Sequence, residues 1–222
     1  MQESGQIIHM PKMTPDWTFE RKAKKLAKSE RFAICGVDEA GRGPLAGPVV
    51  ACAVILNPRK YPSGLCDSKI LSKKRREALY SEILQLADVG IAIAEPEEID
   101  RLNILHASLS AMQRAILDLP QTSSHALIDG NHAPPCCPDV SISYTPVVKG
   151  DNRSLSIAAA SIIAKVTRDQ IMENADRRFP GYGFAQHKGY ATPQHREALI
   201  RLGPCPIHRF SFAPVRDQIN AR

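Results

Sequence analysis

Apolar and polar positions along this chain fall into blocks whose period switches between two and about three and a half. Residues 34–37, Ile-Cys-Gly-Val, form a short apolar run that ends in two adjacent acids, Asp38 and Glu39. Gly41-Arg42-Gly43-Pro44 follows, and then a second apolar run from Pro48 to Leu56. Apolar run, Gly/Pro-rich break, apolar run predicts two strands joined by a hairpin. Three further short runs, 89–95, 126–129 and 144–148, predict strands three to five. Helical spacing fills the intervals. Ser72 is placed to cap a helix over 73–87, in which Leu79, Ile83, Leu86 and Ala87 recur on one side. Pro96 opens a short helix, and Asn103 caps a longer one over 104–118. A long helix runs from Ser154 to about Phe179, its first half rich in small residues, and Pro180-Gly181 ends it. Thr192-Pro193 starts a last helix that Gly203 closes. Near the N-terminus, 19–31 reads as a basic helix with Phe19, Ala23, Leu26 and Ala27 on one side. Residues 1 to about 18 carry no period and are expected to be poorly ordered. Phe210 and Phe212 alternate near the C-terminus and are expected to pack back on the body. No internal repeat is present.

Neighbouring strand residues point to opposite faces, so Asp38 and Glu39 cannot both enter one core. At least one must face a cleft, where a buried acid needs a cation or donors. The nearby glycines permit close backbone approach to a ligand, and Arg42 supplies a fixed charge suited to phosphate. Two more predicted strands end in acids: Asp129 follows 126–128, and Asp151 follows Lys149-Gly150. Open sheets bind ligands beyond strand ends where the chain direction switches. Four carboxylates meeting there would repel one another without metal. An all-oxygen donor set suits Mg2+ or Mn2+ better than zinc. Two such ions can activate a water and stabilise the leaving oxygen of a phosphodiester. A single acid at a strand end is more often a cap or surface group; the joint arrangement carries the reading.

Composition narrows the picture. The 222 residues suit one domain with at most a small appendage, and the 43% hydrophobic content is ordinary for one core. No apolar run approaches a membrane span, and no secretory signal is visible at the N-terminus, so a cytoplasmic protein is expected. The formal charge of +6 favours a polyanionic partner. The six cysteines form no CxxC pair or zinc spacing. Cys35 and Cys52 read as small buried hydrophobes, and Cys136-Cys137 as exposed thiols in a Pro-rich loop.

The string DEAGRGPLAGPVVACAVIL closely resembles the opening of ribonuclease HII. Further motifs of that family follow in order: DSK, LNILHA, LIDG, VVKGD, AAASIIAKVTRD, GYGFAQHKGY and SFAPV. Together they span about residues 33–215. The resemblance implies a ribonuclease-H-like α/β fold: a five-stranded mixed sheet flanked by helices, with a small C-terminal helical extension. It implies an N-terminal extension over 1–30, a catalytic domain over 31–190 and a C-terminal extension over 191–222 packed on it. Asp38, Glu39, Asp129 and Asp151 match the family's metal-binding catalytic acids. Gly41, Arg42 and Gly43 match the turn that reads the ribose 2′-hydroxyl. Tyr190 matches the tyrosine beside the sugar of the deoxynucleotide after the ribonucleotide. Lys69, in the DSK loop, is a candidate phosphate contact, although Ile70 stands where the family usually has a second lysine. The other departures are the extended N-terminus and the Cys136-Cys137 loop.

The implied activity is metal-dependent hydrolysis, with Mn2+ or Mg2+, of the RNA strand of RNA–DNA hybrids. Duplex DNA with one ribonucleotide would be cut 5′ to it, leaving a 3′-hydroxyl and a 5′-phosphate, in ribonucleotide and RNA-primer removal. A monomer is expected, and no clear clamp-binding motif is present. Among lesser candidates, Asp169 lies about 15 residues into the long helix, roughly 22 Å along its axis. That is too far to share a metal with Asp151, so Asp169 reads as structural or surface, with Lys165 and Arg168 undecided beside it. His106 reads as a packing residue. His187, Lys188 and the cluster Lys73, Lys74, Arg75 and Arg76 read as possible phosphate neighbours. Two rivals remain at this point. One is ribonuclease HIII, whose sizeable extra N-terminal domain about 30 residues could not supply. The other is a nucleic-acid-binding protein that kept the fold and lost catalysis, against which stand the four acids.

Overall fold

Alternating apolar side chains give one sheet two buried faces, and the helices follow from covering both. The structure is a computed structural model that describes residues 14–26, 33–135 and 142–220. The predicted strands are β1 (Ile34–Ala40), β2 (Val49–Leu56), β3 (Ala87–Ala94), β4 (His125–Asp129) and β5 (Ser143–Val147). They form one mixed sheet in the order β3-β2-β1-β4-β5, with β1, β2 and β3 antiparallel and β1, β4 and β5 parallel. Pro146 lies on the edge strand β5, where a missing N–H is tolerated.

Cys35, Val37, Ala51 and Ala53 point to one face and pack on α3 (Pro96–Leu117) through Ala107, Ala111 and Ala115. Cys52 and Val54 point to the other and meet α2 (Lys73–Leu86) and α4 (Leu155–Arg178) through Leu79, Ile83, Ile162 and Ile163. Each such aliphatic side chain, fully buried, is worth about 1.5–3 kcal/mol. The predicted caps at Ser72, Asn103 and Thr192 form, and Ser154 adds another. Ser72 Oγ accepts from Arg75 N, and Ser154 Oγ from Ile157 N. Thr192 Oγ1 accepts from His195 N at the start of α6 (Pro193–Leu202). Asn103, at φ 64°, breaks α3 in two, and its Oδ1 accepts from Leu105 N and His106 N.

Several expectations change. In α1 (Thr18–Leu26) the buried residues are Glu20 and Ala23, with Phe19 half-buried, while Leu26 is 79% exposed. A carboxylate takes the inner position because Ser154 Oγ and Ser156 N both donate to Glu20 Oε1. His106 is exposed and packs in no core. The tail forms two helices the pattern did not announce, α5 (Phe184–His187) and α7 (Ala213–Asn220). Phe212 packs inward, whereas Phe210 is 43% exposed. Cys35 and Cys52 are fully buried, and burial pushes the Cys35 thiol up to about 12. Residues 1–13, 27–32 and Cys136-Cys137 lie outside the described residues. Among the described residues no helix is long and apolar enough to cross a membrane.

The small residues of α4 let its first turn close on β1 at Gly36. A Cβ there would lie 2.1 Å from the carbonyl carbon of Ser156. Gly36→Ala is therefore expected to lower the unfolding free energy by about 2–3 kcal/mol, as overpacking of a tight core does. Urea unfolding checks it; a loss under about 1 kcal/mol would show that strand and helix separate easily.

Candidate active site

The parallel strands β1, β4 and β5 end at one edge of the sheet, and each ends beside an acid. Val37 and Ile128 pair in register, so the next residues outward are Asp38 and Asp129. Beyond β5, Lys149 adopts a left-handed conformation and the short 3-10 turn Gly150–Asn152 brings Asp151 back toward them. Gly150 N donates to Asp129 Oδ1 at 2.6 Å, and Asn152 Nδ2 to Asp151 Oδ1 at 2.9 Å. Asp38 and Glu39 have opposite strand parity, yet both border one cleft of about 450 Å³, where the pairing of β1 with β4 has ended at Val37 while that with β2 continues. Gly41, Arg42, Gly43, Lys69, Lys165 and Tyr190 border the same cleft. Asp129 and Asp151 stand beside it, near enough to raise Asp38 electrostatically. A cavity of about 530 Å³, lined in part by Trp17, Ile34 and Leu56, opens at the other end of the sheet and contains none of these acids.

The acids are under tension. Burial, then the charges of Glu39 and Asp129, pushes the Asp38 carboxyl well above its ordinary value. Burial also raises Glu39, against the opposing pull of Arg42 and with a further rise from Asp129. Asp129 is raised by burial and then by Asp151. Cations answer at the rim. Lys69 Nζ lies 3.3 Å from Asp151 Oδ2, and Arg42 donates to Glu39 Oε1 at 3.4 Å. Burial alone would lower the Lys69 ammonium, but Asp151 and Asp67 raise it. Glu39 Oε2 is buried without a hydrogen-bond partner. Among the described residues no three His, Cys, Asp or Glu side chains are drawn close enough to enclose an ion as they stand. The donor set nevertheless fits a hard divalent cation: carboxylate oxygens only, held against mutual repulsion, one of them orphaned.

Local structure places each group. Gly41 sits at φ 102° with a Cβ position 2.1 Å from Arg168 Nε, so the loop rests directly on that guanidinium. A Cβ on Gly43 would lie 3.7 Å from Tyr190 Cε1, which sets the tyrosine ring beside the Gly-Arg-Gly turn. Tyr190 is 46% exposed. The Lys69 loop is held by a 2.9 Å hydrogen bond between Ser68 Oγ and Ser161 Oγ, and by Arg76 Nη1 donating to Ser68 O and Leu71 O. Ile70 is exposed there, so the departure from the family pattern disturbs no packing.

Other candidates leave the site. His187 is buried with both ring nitrogens bonded, to Tyr182 O and Gly189 N, so it cannot meet phosphate. Lys188 and Lys73 both bind Glu173, and Arg75 binds Ser63 O. Asp169 lies outside the cleft and holds Lys165 at 2.7 Å. Two arginines are structural: Arg168, which the sequence left undecided, and Arg209, which sequence reasoning missed. Arg168, fully buried, donates to Pro48 O and Ala46 O. Arg209, also fully buried, donates to the carbonyls of Gly41, Arg42 and Gly47. A basic residue in an otherwise apolar or aromatic tail was the only sign of Arg209.

Acids at the ends of three parallel strands, in a sheet of this order and beside a basic cleft, define a nuclease of the ribonuclease H class. The family model described as Ribonuclease HII matches residues 35–215. The ribonuclease HII of Maricaulis maris is 56% identical over 89% of this chain and 89% of its own. That of Parvibaculum lavamentivorans is 51% identical over 94% of this chain and 75% of its own. Among solved structures, the ribonuclease H2 of Pyrococcus horikoshii superposes with a TM-score of 0.70 at 25% identity, covering 86% of this chain and 98% of that one. The Archaeoglobus fulgidus ribonuclease HII, solved in complex with PCNA, gives 0.64 at 28%, covering 82% and 95%. A ribonuclease HIII solved with Mn2+ shares the fold at 17% identity. The chain belongs to the ribonuclease HII family, and it is a ribonuclease H, an endonuclease for the RNA of hybrids, in a family that depends on divalent metal.

The raised Asp38 has a thermodynamic consequence. The folded protein holds that proton more tightly than the unfolded chain does. Stability therefore falls as pH rises from the ordinary carboxylate range through the raised value. With chelator present, Asp38→Asn is expected to stabilise the protein near pH 7 by about 0.5–2 kcal/mol. The gain should shrink as pH falls from the raised value to the ordinary carboxylate range, and be gone below it. Denaturant melts across that range check it; a destabilised variant at pH 7 would contradict the electrostatic account.

Proposed function

We propose that this ribonuclease H cuts 5′ to a ribonucleotide, both in RNA–DNA hybrids and at single ribonucleotides embedded in duplex DNA. The products would carry a 3′-hydroxyl and a 5′-phosphate, as suits removal of misincorporated ribonucleotides and RNA primers. The observation that carries this reading is the shared cleft: Asp38 and Glu39 border it together with Gly41–Gly43 and the exposed Tyr190 ring. One wall offers acids for phosphodiester hydrolysis. The other offers a turn and a flat ring that can compare two neighbouring sugars.

In this reading Asp38, Glu39, Asp129 and Asp151 hold divalent cations, Mg2+ or Mn2+. Bound there, two ions would supply Lewis acidity and a hydroxide nucleophile. The orphaned Glu39 Oε2 and the raised carboxyls support that assignment. Gly41, Arg42 and Gly43 approach the ribose closely enough for backbone groups to meet its 2′-hydroxyl, the group that separates RNA from DNA. Arg42 and Lys69 face the phosphates as cations; Lys69 sits on Asp151 until substrate offers a stronger anion. Tyr190 packs its ring against the following sugar, where an added hydroxyl would be excluded.

The test is a labelled DNA duplex containing one ribonucleotide, incubated with Mg2+, with Mn2+ and with chelator. A single metal-dependent nick 5′ to the ribonucleotide is expected. Binding without cleavage under either metal would favour a non-catalytic binding protein and overturn the proposal. Asp129→Asn should leave hybrid binding intact and lower turnover on the order of 10³-fold or more; near-normal turnover would remove Asp129 from the acid set. Tyr190→Ala should lose about tenfold more activity on the single-ribonucleotide duplex than on a continuous hybrid, a difference of about 1.4 kcal/mol. Equal losses on both would count against its junction role.

A further inference from the structure

Three histidine rings gather beneath the turn that presents Tyr190. His187 and His195 stack with ring centroids 4.4 Å apart, and His195 Nε2 lies 3.1 Å from His208 Nε2. All three are buried, His195 and His208 completely. Two imidazole nitrogens at that distance can bond only if one carries a proton and the other does not.

The main chain decides which. Cys205 N donates to His208 Nδ1 at 2.9 Å. A backbone N–H cannot act as an acceptor, so His208 Nδ1 is bare and the ring proton sits on Nε2. That proton goes to His195 Nε2, which leaves the His195 proton on Nδ1. His195 Nδ1 lies 2.9 Å from Tyr190 O and donates to it. The opposite arrangement fails twice. It would bond His208 Nδ1 to Cys205 O, 3.2 Å away, but strip the buried Cys205 N–H of its acceptor. It would also set a bare His195 Nδ1 against the Tyr190 carbonyl, two acceptors face to face. Burial lowers His208 to about 4 and lowers His195 as well, so both rings stay neutral in the working range.

This chain of donors ends on the residue whose ring enters the cleft. Tyr190 O accepts from Thr192 N as well as from His195, and Tyr190 N donates to His187 O. The turn before it passes through two left-handed residues, Lys188 at φ 53° and Gly189 at φ 83°. A non-glycine residue holds such a conformation only where its surroundings over-determine it. Leu45 N donates to Gly189 O, which ties the same turn to the Gly-Arg-Gly loop.

We propose that His195 and His208 are positioning residues: a pair locked in complementary tautomers that fixes the Tyr190 peptide plane, aims its ring at the sugar after the ribonucleotide, and so sets the preference for an RNA–DNA junction. The substrate-preference half rests on the junction role proposed for Tyr190; the tautomer half does not.

The experiment has two arms on the full-length protein. The first records ring nitrogen–proton correlations by NMR after 15N-histidine labelling. His208 should carry its proton on Nε2 and His195 on Nδ1; reversed tautomers would overturn the lock, whatever the variants do. The second compares cleavage of a single-ribonucleotide duplex and a continuous hybrid by His195→Asn and His195→Gln. Asparagine keeps a donor near the Nδ1 position, whereas glutamine moves it toward Nε2. His195→Gln should lose about tenfold in kcat/KM on the junction substrate relative to the hybrid, because small misplacements of a positioning group carry penalties of that order or more. His195→Asn should stay within about threefold of wild type. The loss in His195→Gln/Tyr190→Ala should not exceed that of Tyr190→Ala alone. Equal losses on both substrates, or His195→Asn as impaired as His195→Gln, would overturn the positioning role. If Tyr190→Ala itself proves unselective, the junction reading and the substrate-preference half fall together. The NMR arm then decides the lock alone.

Discussion

Two buried guanidinium groups hold the loop on which everything at the cleft depends. Residues 41–48 leave β1 at its acids and return as β2, and their carbonyls point inward rather than into a ladder. Arg168 takes the oxygens of Ala46 and Pro48 from below, and Arg209 takes those of Gly41, Arg42 and Gly47. Charge-assisted hydrogen bonds of this kind are worth roughly 1.5–3 kcal/mol each when the acceptors would otherwise be buried unpaired. The arrangement also answers the cost of burying two cations. Each guanidinium spreads its charge over several carbonyl dipoles, and a planar fork can do so where an ammonium cannot. Burial still lowers both groups, so the contacts offset desolvation rather than abolish it.

The loop in turn ties together parts of the chain that are remote in sequence. Gly47 N donates to Ile207 O, Arg209 N to Leu45 O, and Leu45 N to Gly189 O. The C-terminal segment thus lies along the loop as a second layer of backbone, and Asp100 from α3 fixes that segment by accepting from Phe210 N and Ser211 N. The acids are positioned by the sheet, whereas the Gly-Arg-Gly turn and Tyr190 are positioned by the tail. The two halves of the cleft therefore have separate supports that meet at Gly41, where the loop touches Arg168.

What could be read from the sequence was what is local. An apolar run followed by an acid marks a strand end, so Asp38, Glu39, Asp129 and Asp151 stood out before their strands were known to be neighbours. Ser72, Asn103 and Thr192 were legible as caps because a cap bonds two or three residues ahead. The five strands and their mixed order agreed with the resemblance. What could not be read depends on partners far along the chain. Arg168 meets Pro48 across 120 residues, and Lys73 meets Glu173 across 100. The cation-rich first turn of α2 suggested a phosphate site, but Glu173 and backbone carbonyls occupy most of it. The inward Glu20 of α1 defied amphipathic spacing because its acceptor role is fixed by Ser154 and Ser156, on another helix.

The buried acids and the buried bases of this protein solve opposite problems within one small region. The acids are left short of partners: three have carboxyls raised by burial, and Glu39 Oε2 has no donor. The bases behind the loop are well partnered: every side-chain nitrogen of Arg209, His187, His195 and His208 has a hydrogen-bond neighbour, and Arg168 uses two of its three. Unsatisfied polar groups are costly and are retained where a ligand completes them, while satisfied ones rigidify their surroundings. The contrast separates a wall whose carboxylates fit a hard cation from a wall whose shape is already fixed by its own hydrogen bonds. Under the proposed junction reading the second wall must be stiff, since a 2′-hydroxyl is a difference of one oxygen atom. Its stiffness is drawn from Arg168 on α4 and from the C-terminal segment, both far from Asp38 and Glu39 in sequence.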